Sequence, residues 1–242
     1  MRILLLSDIH GNYPALKAVA DYFDQPFDMI LNGGDTTVYA PFDNQTIDWL
    51  RANKVISILG NTDQHILTLL RGETFKKPRK AEKRIMYGWT AAELTNANCN
   101  WLKKQPISQN ITLDGGAQKT YTLGMYHGSP DDPDEFLFSD TPEQRFERLA
   151  ASSPHTIVTV GHSHSPFHNS IGGVHFINPG SVGRMFDGTP KASCAVLTID
   201  NSDIDVELFR IDYPVEEVVA EIDKQKLPAI YKEMYRHARK LN

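Results

Sequence analysis

Five apolar runs of strand character each lead into a side chain suited to a divalent metal ion. Ile3–Leu6 leads to Asp8 and His10, Met29–Leu31 to Asp35, Val55–Leu59 to Asn61, Tyr121–Tyr126 to His127, and Thr156–Val160 to His162 and His164. In a largely buried α/β sheet, ligands sit in the crevice outside the carboxyl ends of the strands, so these groups are expected to converge there. Three oxygen donors and four imidazoles are too many for one ion and about right for two. Carboxylate, carboxamide and imidazole without thiolate select borderline metals such as Mn²⁺, Fe, Zn²⁺ or Co²⁺. Asp8 and His10 stand two apart, as do His162 and His164, a spacing by which an extended strand aims both side chains one way. Taken singly, each has a plainer reading: Asp35 as a turn residue, Asn61 as a helix N-cap. Those plainer readings would have to hold for all seven at once, each at a strand end.

The ordered set Asp8-Ile9-His10-Gly11-Asn12, Gly33-Gly34-Asp35, Gly60-Asn61-Thr62-Asp63, His127-Gly128 and Gly161-His162-Ser163-His164 resembles that of the calcineurin-like metallophosphoesterases. His127-Gly128-Ser129-Pro130 and Asn178-Pro179-Gly180-Ser181-Val182-Gly183 are similar to the small bacterial and archaeal phosphodiesterase branch. The resemblance implies a four-layer αββα sandwich, with a variable cap beside the active site. It implies one ion on Asp8, His10, Asp35 and His164, and a second on Asp35, Asn61, His127 and His162. Asp35 would bridge ions about 3.5–4 Å apart. Mn²⁺ is the first expectation, with Fe, Zn²⁺, Co²⁺, Ni²⁺ or Mg²⁺ as alternatives. Two cations lower the pKa of a bridging water to roughly 7, which supplies hydroxide for in-line attack on phosphorus. Asn61 is also a candidate to steady developing charge, and Asn12 and Arg184 are candidates to contact substrate.

One position departs from the family. Many members carry a His after Gly-Asn, where it protonates or steadies the leaving group; here the residue is Thr62. Thr cannot act as an acid at neutral pH. His65, three residues on, shares a helix face with Thr62 if a helix opens there, and is the candidate replacement. The expected activity is hydrolysis of phosphodiester or phosphoanhydride bonds of a nucleotide, with a dinucleoside polyphosphate foremost. A phosphoprotein phosphatase is the enzyme alternative. A non-catalytic scaffold of the same fold is the alternative from another class, but a scaffold should have lost ligands.

The bulk properties agree with a soluble globular domain. The chain has 242 residues, 40% hydrophobic and 23% charged, with net charge −5. That balance argues against general nucleic-acid binding, but not against a small anionic substrate drawn by bound cations. Cys99 and Cys194 are far apart and in no metal-type spacing, which suggests free thiols in a reducing compartment. No signal-peptide pattern or run of about 20 apolar residues appears, so a cytoplasmic protein off the membrane is expected. Nothing indicates an oligomeric state.

Residues 1–70 alternate strand and helix, with helices expected at 14–23, 44–52 and 61–70. The alternation breaks between 71 and 120, where the cap insertion into a single 1–242 domain is expected. Arg71, Lys76, Lys77, Arg79, Lys80, Lys83 and Arg84 crowd there. This basic run is a solvated loop on composition, or a substrate-flanking one. One helix is expected over 86–101. A further helix should run to Ala151, followed by strands at 174–177, 193–199 and 204–210 and helices at 215–222 and 230–241. His65, His155, His168, His175 and His237 are otherwise expected as satisfied core residues.

Overall fold

The structure, a computed structural model, describes residues 1–242 except 75, 77, 117, 118, 201 and 202. Its strands are β1 (Arg2–Leu6), β2 (Met29–Asn32), β3 (Ile56–Ser57), β4 (Ser108–Asp114), β5 (Thr120–Tyr126), β6 (Ile157–Thr159), β7 (Phe167–Ile171), β8 (Val174–Asn178), β9 (Lys191–Asp200) and β10 (Asp203–Asp212). Its helices are α1 (Tyr13–Tyr22), α2 (Asp43–Ala52), α3 (Asn61–Leu70), α4 (Ala81–Glu93), α5 (Asn96–Leu102), α6 (Glu143–Ser152), α7 (Val215–Lys224) and α8 (Ile230–His237). The strands form two five-stranded sheets, ordered β10-β9-β1-β2-β3 and β4-β5-β6-β8-β7. In the first, β1, β2 and β3 run parallel and β9 and β10 antiparallel. In the second, β5, β6 and β8 run parallel, with β4 and β7 antiparallel at the edges.

Strand alternation makes the layers. Ile3 and Leu5 point between the sheets, where they meet Leu31, Ile58, Leu123, Met125, Ile157 and Ile177. Leu4 and Leu6 point the other way and pack with Leu16 and Val19 of α1 and Leu50 of α2. Val158 and Phe176 do the same from the second sheet against Phe146 and Leu149 of α6. The expected sandwich, with helices outside two facing sheets, is the one observed.

Some local expectations are corrected. The helix expected over 86–101 is two helices. Leu94 is extended, and the Thr95 side chain accepts from Asn98 N at 3.2 Å, so an N-cap starts α5 afresh. Only Ile56–Ser57 of the Val55–Leu59 run pairs as strand. β7, with the sequence Phe-His-Asn-Ser-Ile, was not anticipated; it is an edge strand with little apolar signal. Of the 71–120 stretch, α4 and α5 contribute Met86, Tyr87, Cys99 and Leu102 to a buried helical cluster with α7 and α8, and β4 joins the second sheet. Cys99 and Cys194 are free and buried. Among the described residues, no helix is long and apolar enough to cross a membrane.

Candidate metal centre

The seven candidate ligands come from the carboxyl ends of strands in both sheets: β1, β2 and β3 from one, β5 and β6 from the other. The strands stop short of them. Asp8, His10, Asp35, His162 and His164 have φ of 52°, 51°, 50°, 65° and 56°, all in the left-handed region. Asp and His tolerate that region better than most residues, yet each such residue costs on the order of 1–3 kcal/mol. The expected aiming of Asp8 with His10, and His162 with His164, by an extended strand is therefore overturned. Left-handed turns past Leu6 and Thr159 orient these side chains instead. The turns are pinned to one another: Asp8 N donates to Gly34 O and His10 N to Asp35 O, both at 2.9 Å, and Gly161 N donates to His127 O at 2.9 Å. Close approach requires glycine at two points. A Cβ on Gly60 would meet Asp35 Oδ1 at 2.1 Å, and one on Gly161 would meet Ser7 Oγ at 2.1 Å.

The donor atoms gather in two groups. In the first, His10 Nε2 lies 3.2 Å from His164 Nε2 and 3.7 Å from Asp35 Oδ2, and His164 Nε2 lies 3.3 Å from Asp8 Oδ1. In the second, His127 Nε2 lies 3.2 Å from Asn61 Oδ1 and 3.5 Å from Asp35 Oδ1. The two oxygens of Asp35 thus face different groups. The His162 ring lies 4.9 Å from that of His127, centroid to centroid. Atoms bound about 2.0–2.2 Å from a shared ion stand roughly 3–3.5 Å from each other, which is the spacing here.

The tautomers sharpen this fit. His10 Nδ1 faces Thr37 O, His127 Nδ1 faces Gly33 O, and His164 Nδ1 faces Arg184 O. A carbonyl only accepts, so each neutral ring carries its proton on Nδ1 and turns a bare Nε2 inward, as metal-ligating histidines do. Two Nε2 lone pairs facing each other at 3.2 Å repel unless a cation lies between them. Asp8 Oδ1, fully buried, has no hydrogen-bond partner. Burial holds His10 down to about 3, against the pull of Asp35, so this ring stays neutral near pH 7. Burial pushes the Asp8 carboxyl up, and the imidazoles of His164, His127 and His10 pull it down whenever they carry a second proton, just as a bound cation would. His127 is disfavoured by burial and raised on balance by Asp35 and Asp8. His162 is lowered by burial and by His127. The donor chemistry and the spacing of Asp8, His10 and His164, and of Asp8, Asp35 and His127, fit bound divalent metal.

The other expected residues separate. Thr62 is buried; its N donates to Asp35 Oδ1 at 2.8 Å and its hydroxyl to Thr37 O at 3.2 Å. His65 lines the cleft above the ligands, with Nδ1 toward Asn61 O. Asn12, expected to contact substrate, is fully buried, caps α1 through Ala15 N and donates to Gly183 O. Both ends of its carboxamide are engaged, so it shapes the Asp8–His10 turn instead. Arg184 is buried and borders the cleft. Of the basic run, Arg79 and Lys83 line the cleft, Lys76 and Lys80 do not, and Lys77 lies outside the described residues. His155 is buried with neither ring nitrogen bonded, His168 and His175 pair at 3.0 Å half-buried, and His237 is exposed. None of these four is the satisfied core residue expected.

The cleft holds about 830 Å³ and also brings in Tyr39, Tyr87, Phe136, Phe138, Phe186 and Lys240, which sequence reasoning missed. Phe136 and Phe138 left one signal, two aromatics in an otherwise acidic loop. Asp63 was missed as well. It accepts from Thr36 N, Thr37 N, Thr37 Oγ1 and Gly60 N, tying the Asp35 loop to the start of α3.

Comparison with known proteins bears on the same residues. The sequence model of the calcineurin-like phosphoesterase superfamily domain matches residues 1–202. An uncharacterized protein of Methanocaldococcus jannaschii is 30% identical over 246 residues, covering 93% of this chain and 93% of its own. A symmetrical bis(5'-nucleosyl)-tetraphosphatase of Klebsiella pneumoniae is 30% identical over 113 residues, which span 45% of this chain and only 39% of that enzyme. The crystal structure of a metallophosphoesterase from Sphaerobacter thermophilus shares the fold, with a TM-score of 0.80 and 24% identity over 98% of this chain and 99% of its own. The chain belongs to the calcineurin-like phosphoesterase superfamily, and with it to the hydrolases of phosphate esters that use divalent metal ions.

Proposed function

We propose that the protein is a two-metal hydrolase of phosphodiester or phosphoanhydride bonds in a nucleotide, with a dinucleoside polyphosphate as the foremost substrate. Asp8, His10, Asp35 and His164 would hold one ion, and Asp35, Asn61, His127 and His162 the other. The observation that carries this reading is the inward face of acceptors only, with His10 Nε2 and His164 Nε2 at 3.2 Å and Asp35 split between two groups. Ions held there polarise phosphoryl oxygens and acidify water.

The chain's own residues do the rest. The backbone carbonyls of Thr37, Gly33 and Arg184 fix the three imidazoles, so that substrate binding need not reorganise them. The Asn61 amide can donate to charge developing on phosphate. Thr62 spends its N–H on Asp35 and its hydroxyl on Thr37, and so has no proton for a leaving group. His65 can protonate one only as imidazolium, from Nε2, because Nδ1 faces Asn61 O. The dinucleotide substrate is supported by the tetraphosphatase likeness over part of the chain and by the cations bordering the cleft. All seven ligand positions are filled, which argues against a scaffold.

The test is a panel with Mn²⁺ added: dinucleoside polyphosphates, mononucleotides, cyclic nucleotides, bis(4-nitrophenyl) phosphate and phosphomonoesters. Diesters and anhydrides should be turned over in preference to alkyl monoesters. Turnover of alkyl monoesters alone would overturn the assignment.

A further inference from the structure

Arg184 is only 7% exposed, and its guanidinium lies 3.8 Å from the Tyr39 ring centroid, with the Phe186 and Tyr231 centroids at 5.1 and 5.6 Å. Among the described residues no carboxylate lies within ion-pair reach of it, and its Nε has no hydrogen-bond partner. A buried cation without a counter-ion is costly unless a ligand supplies one. Lys83 and Lys240 line the same cleft; burial, with Arg184, Lys240 and Lys80 nearby, depresses the Lys83 ammonium to about 8, with Glu82 the opposing acid. Tyr39 carries this cationic wall to the ligand cluster: its ring meets that of His10 at 5.2 Å.

The His162 side of the same cleft is built differently. Phe136 stacks on His162, with ring centroids 4.0 Å apart. Phe138 continues outward nearly parallel to Phe136, with 12° between the ring planes and 6.3 Å between centroids. The two are 51% and 40% exposed, so they leave flat apolar faces open at the mouth of the cleft. Such faces suit a planar heterocycle.

We infer that the cleft is a bipartite nucleotide site, in which Arg184 with Lys83 and Lys240 binds a phosphate adjoining the scissile one, and Phe136 with Phe138 stacks a nucleobase. The substrate therefore carries a base and at least two linked phosphates. This rests on the proposed metal centre only for which phosphate is cleaved. Arg184 gives planar two-pronged recognition of phosphate and Lys83 a point charge. The shelf is indifferent to base identity, since every base has a stacking face.

The test is calorimetric binding of two non-hydrolysable probes, α,β-methylene-ADP and methylenediphosphonate, to the Mn²⁺-loaded full chain. Arg184→Gln and Lys83→Ala should each weaken both probes about tenfold or more. Phe138→Ser should weaken α,β-methylene-ADP about fivefold or more and leave methylenediphosphonate unchanged. Arg184→Lys, which keeps the buried charge, separates lost anion contacts from misfolding: it should retain part of the affinity that Arg184→Gln loses. The inference is overturned if both probes bind all variants as they bind the wild type, or if Phe138→Ser weakens both probes equally. Turnover of bis(4-nitrophenyl) phosphate by the wild type reports separately on the metal centre. Absent turnover with the expected binding pattern removes the hydrolase reading and keeps the subsite. Normal turnover with indifferent binding does the reverse.

Discussion

Asp63 never faces the cleft, yet the geometry makes it a determinant of metal affinity. Its Oδ1 accepts from Thr37 N at 3.0 Å and Thr37 Oγ1 at 2.7 Å, and its Oδ2 from Thr36 N and Gly60 N, both at 3.1 Å. Asp63→Asn keeps one acceptor oxygen and turns an NH₂ toward two backbone donors. Two buried N–H groups left unpaired cost about 1–3 kcal/mol each. Against this, burial and the neighbouring Asp35 raise the Asp63 carboxyl to about 6, so its ionised form costs a few kcal/mol at neutral pH, about 1.4 per pK unit. The neutral amide recovers that cost, and the two effects largely offset in metal-free protein. Bound cations neutralise Asp35 and remove the repulsive part, so that the recovered burial cost alone is left to offset the lost hydrogen bonds. By linkage the variant binds metal more weakly, by the roughly 10–100-fold typical of an outer partner. The assay is chemical denaturation at pH 7 in chelator and in excess Mn²⁺. The loss of stability in Asp63→Asn should be larger with Mn²⁺ by about 1.4–2.7 kcal/mol, or roughly 3–10 °C in Tm. An equal loss in both conditions, or a smaller one with metal, would refute the clamp.

Three other outcomes follow from the same geometry. Burial pushes the Asp43 carboxyl up to about 7. A raised folded-state pKa stabilises below the unfolded value near 4, and that contribution is lost as pH rises through 7. Asp43→Asn should thus gain on the wild type between those limits in urea midpoints, and parallel curves would contradict this. Gly60→Ala drives a Cβ against Asp35 Oδ1 and should cost about 1–3 kcal/mol along with most activity; full activity would show that the two loops can separate. With Thr62 unable to donate, aryl diesters and anhydrides should outpace alkyl monoesters by about the 10²–10⁴-fold worth of a general acid. If His65→Ala slows alkyl esters selectively by that order, His65 is the acid and the site is not acid-poor.

Continuous apolar runs made β1 legible in sequence and pointed to the seven residues that the fold gathers. Ile3-Leu4-Leu5-Leu6 has to bury both faces, and a run of that kind ending in Asp8 and His10 points at the crevice beyond it. The manner of convergence was not legible, because the left-handed turns at Asp8 and His10 are held by backbone hydrogen bonds to Gly34, Asp35 and Thr36 on another loop, itself left-handed at Asp35. Local signals also competed. Helical spacing runs through Leu94, and only the Thr95 cap interrupts it. Asn12 carries a motif position whose side chain is used up by α1 and Gly183. The cationic wall and the aromatic shelf depend on pairings between Tyr39 and Arg184 and between Phe136 and His162, too distant along the chain for any periodicity to reveal.

The central claim, that Asp35 joins two ions, is tested most directly by metal content and turnover of Asp35→Asn beside the wild type. After loading with Mn²⁺ and removal of free metal, the wild type should retain two ions per chain, as expected for a two-metal hydrolase. Asp35→Asn should retain fewer and lose bis(4-nitrophenyl) phosphate turnover by more than the roughly 10–100-fold that an outer partner is worth, while its far-ultraviolet circular dichroism stays that of the wild type. Two ions retained by Asp35→Asn together with undiminished turnover would contradict the account.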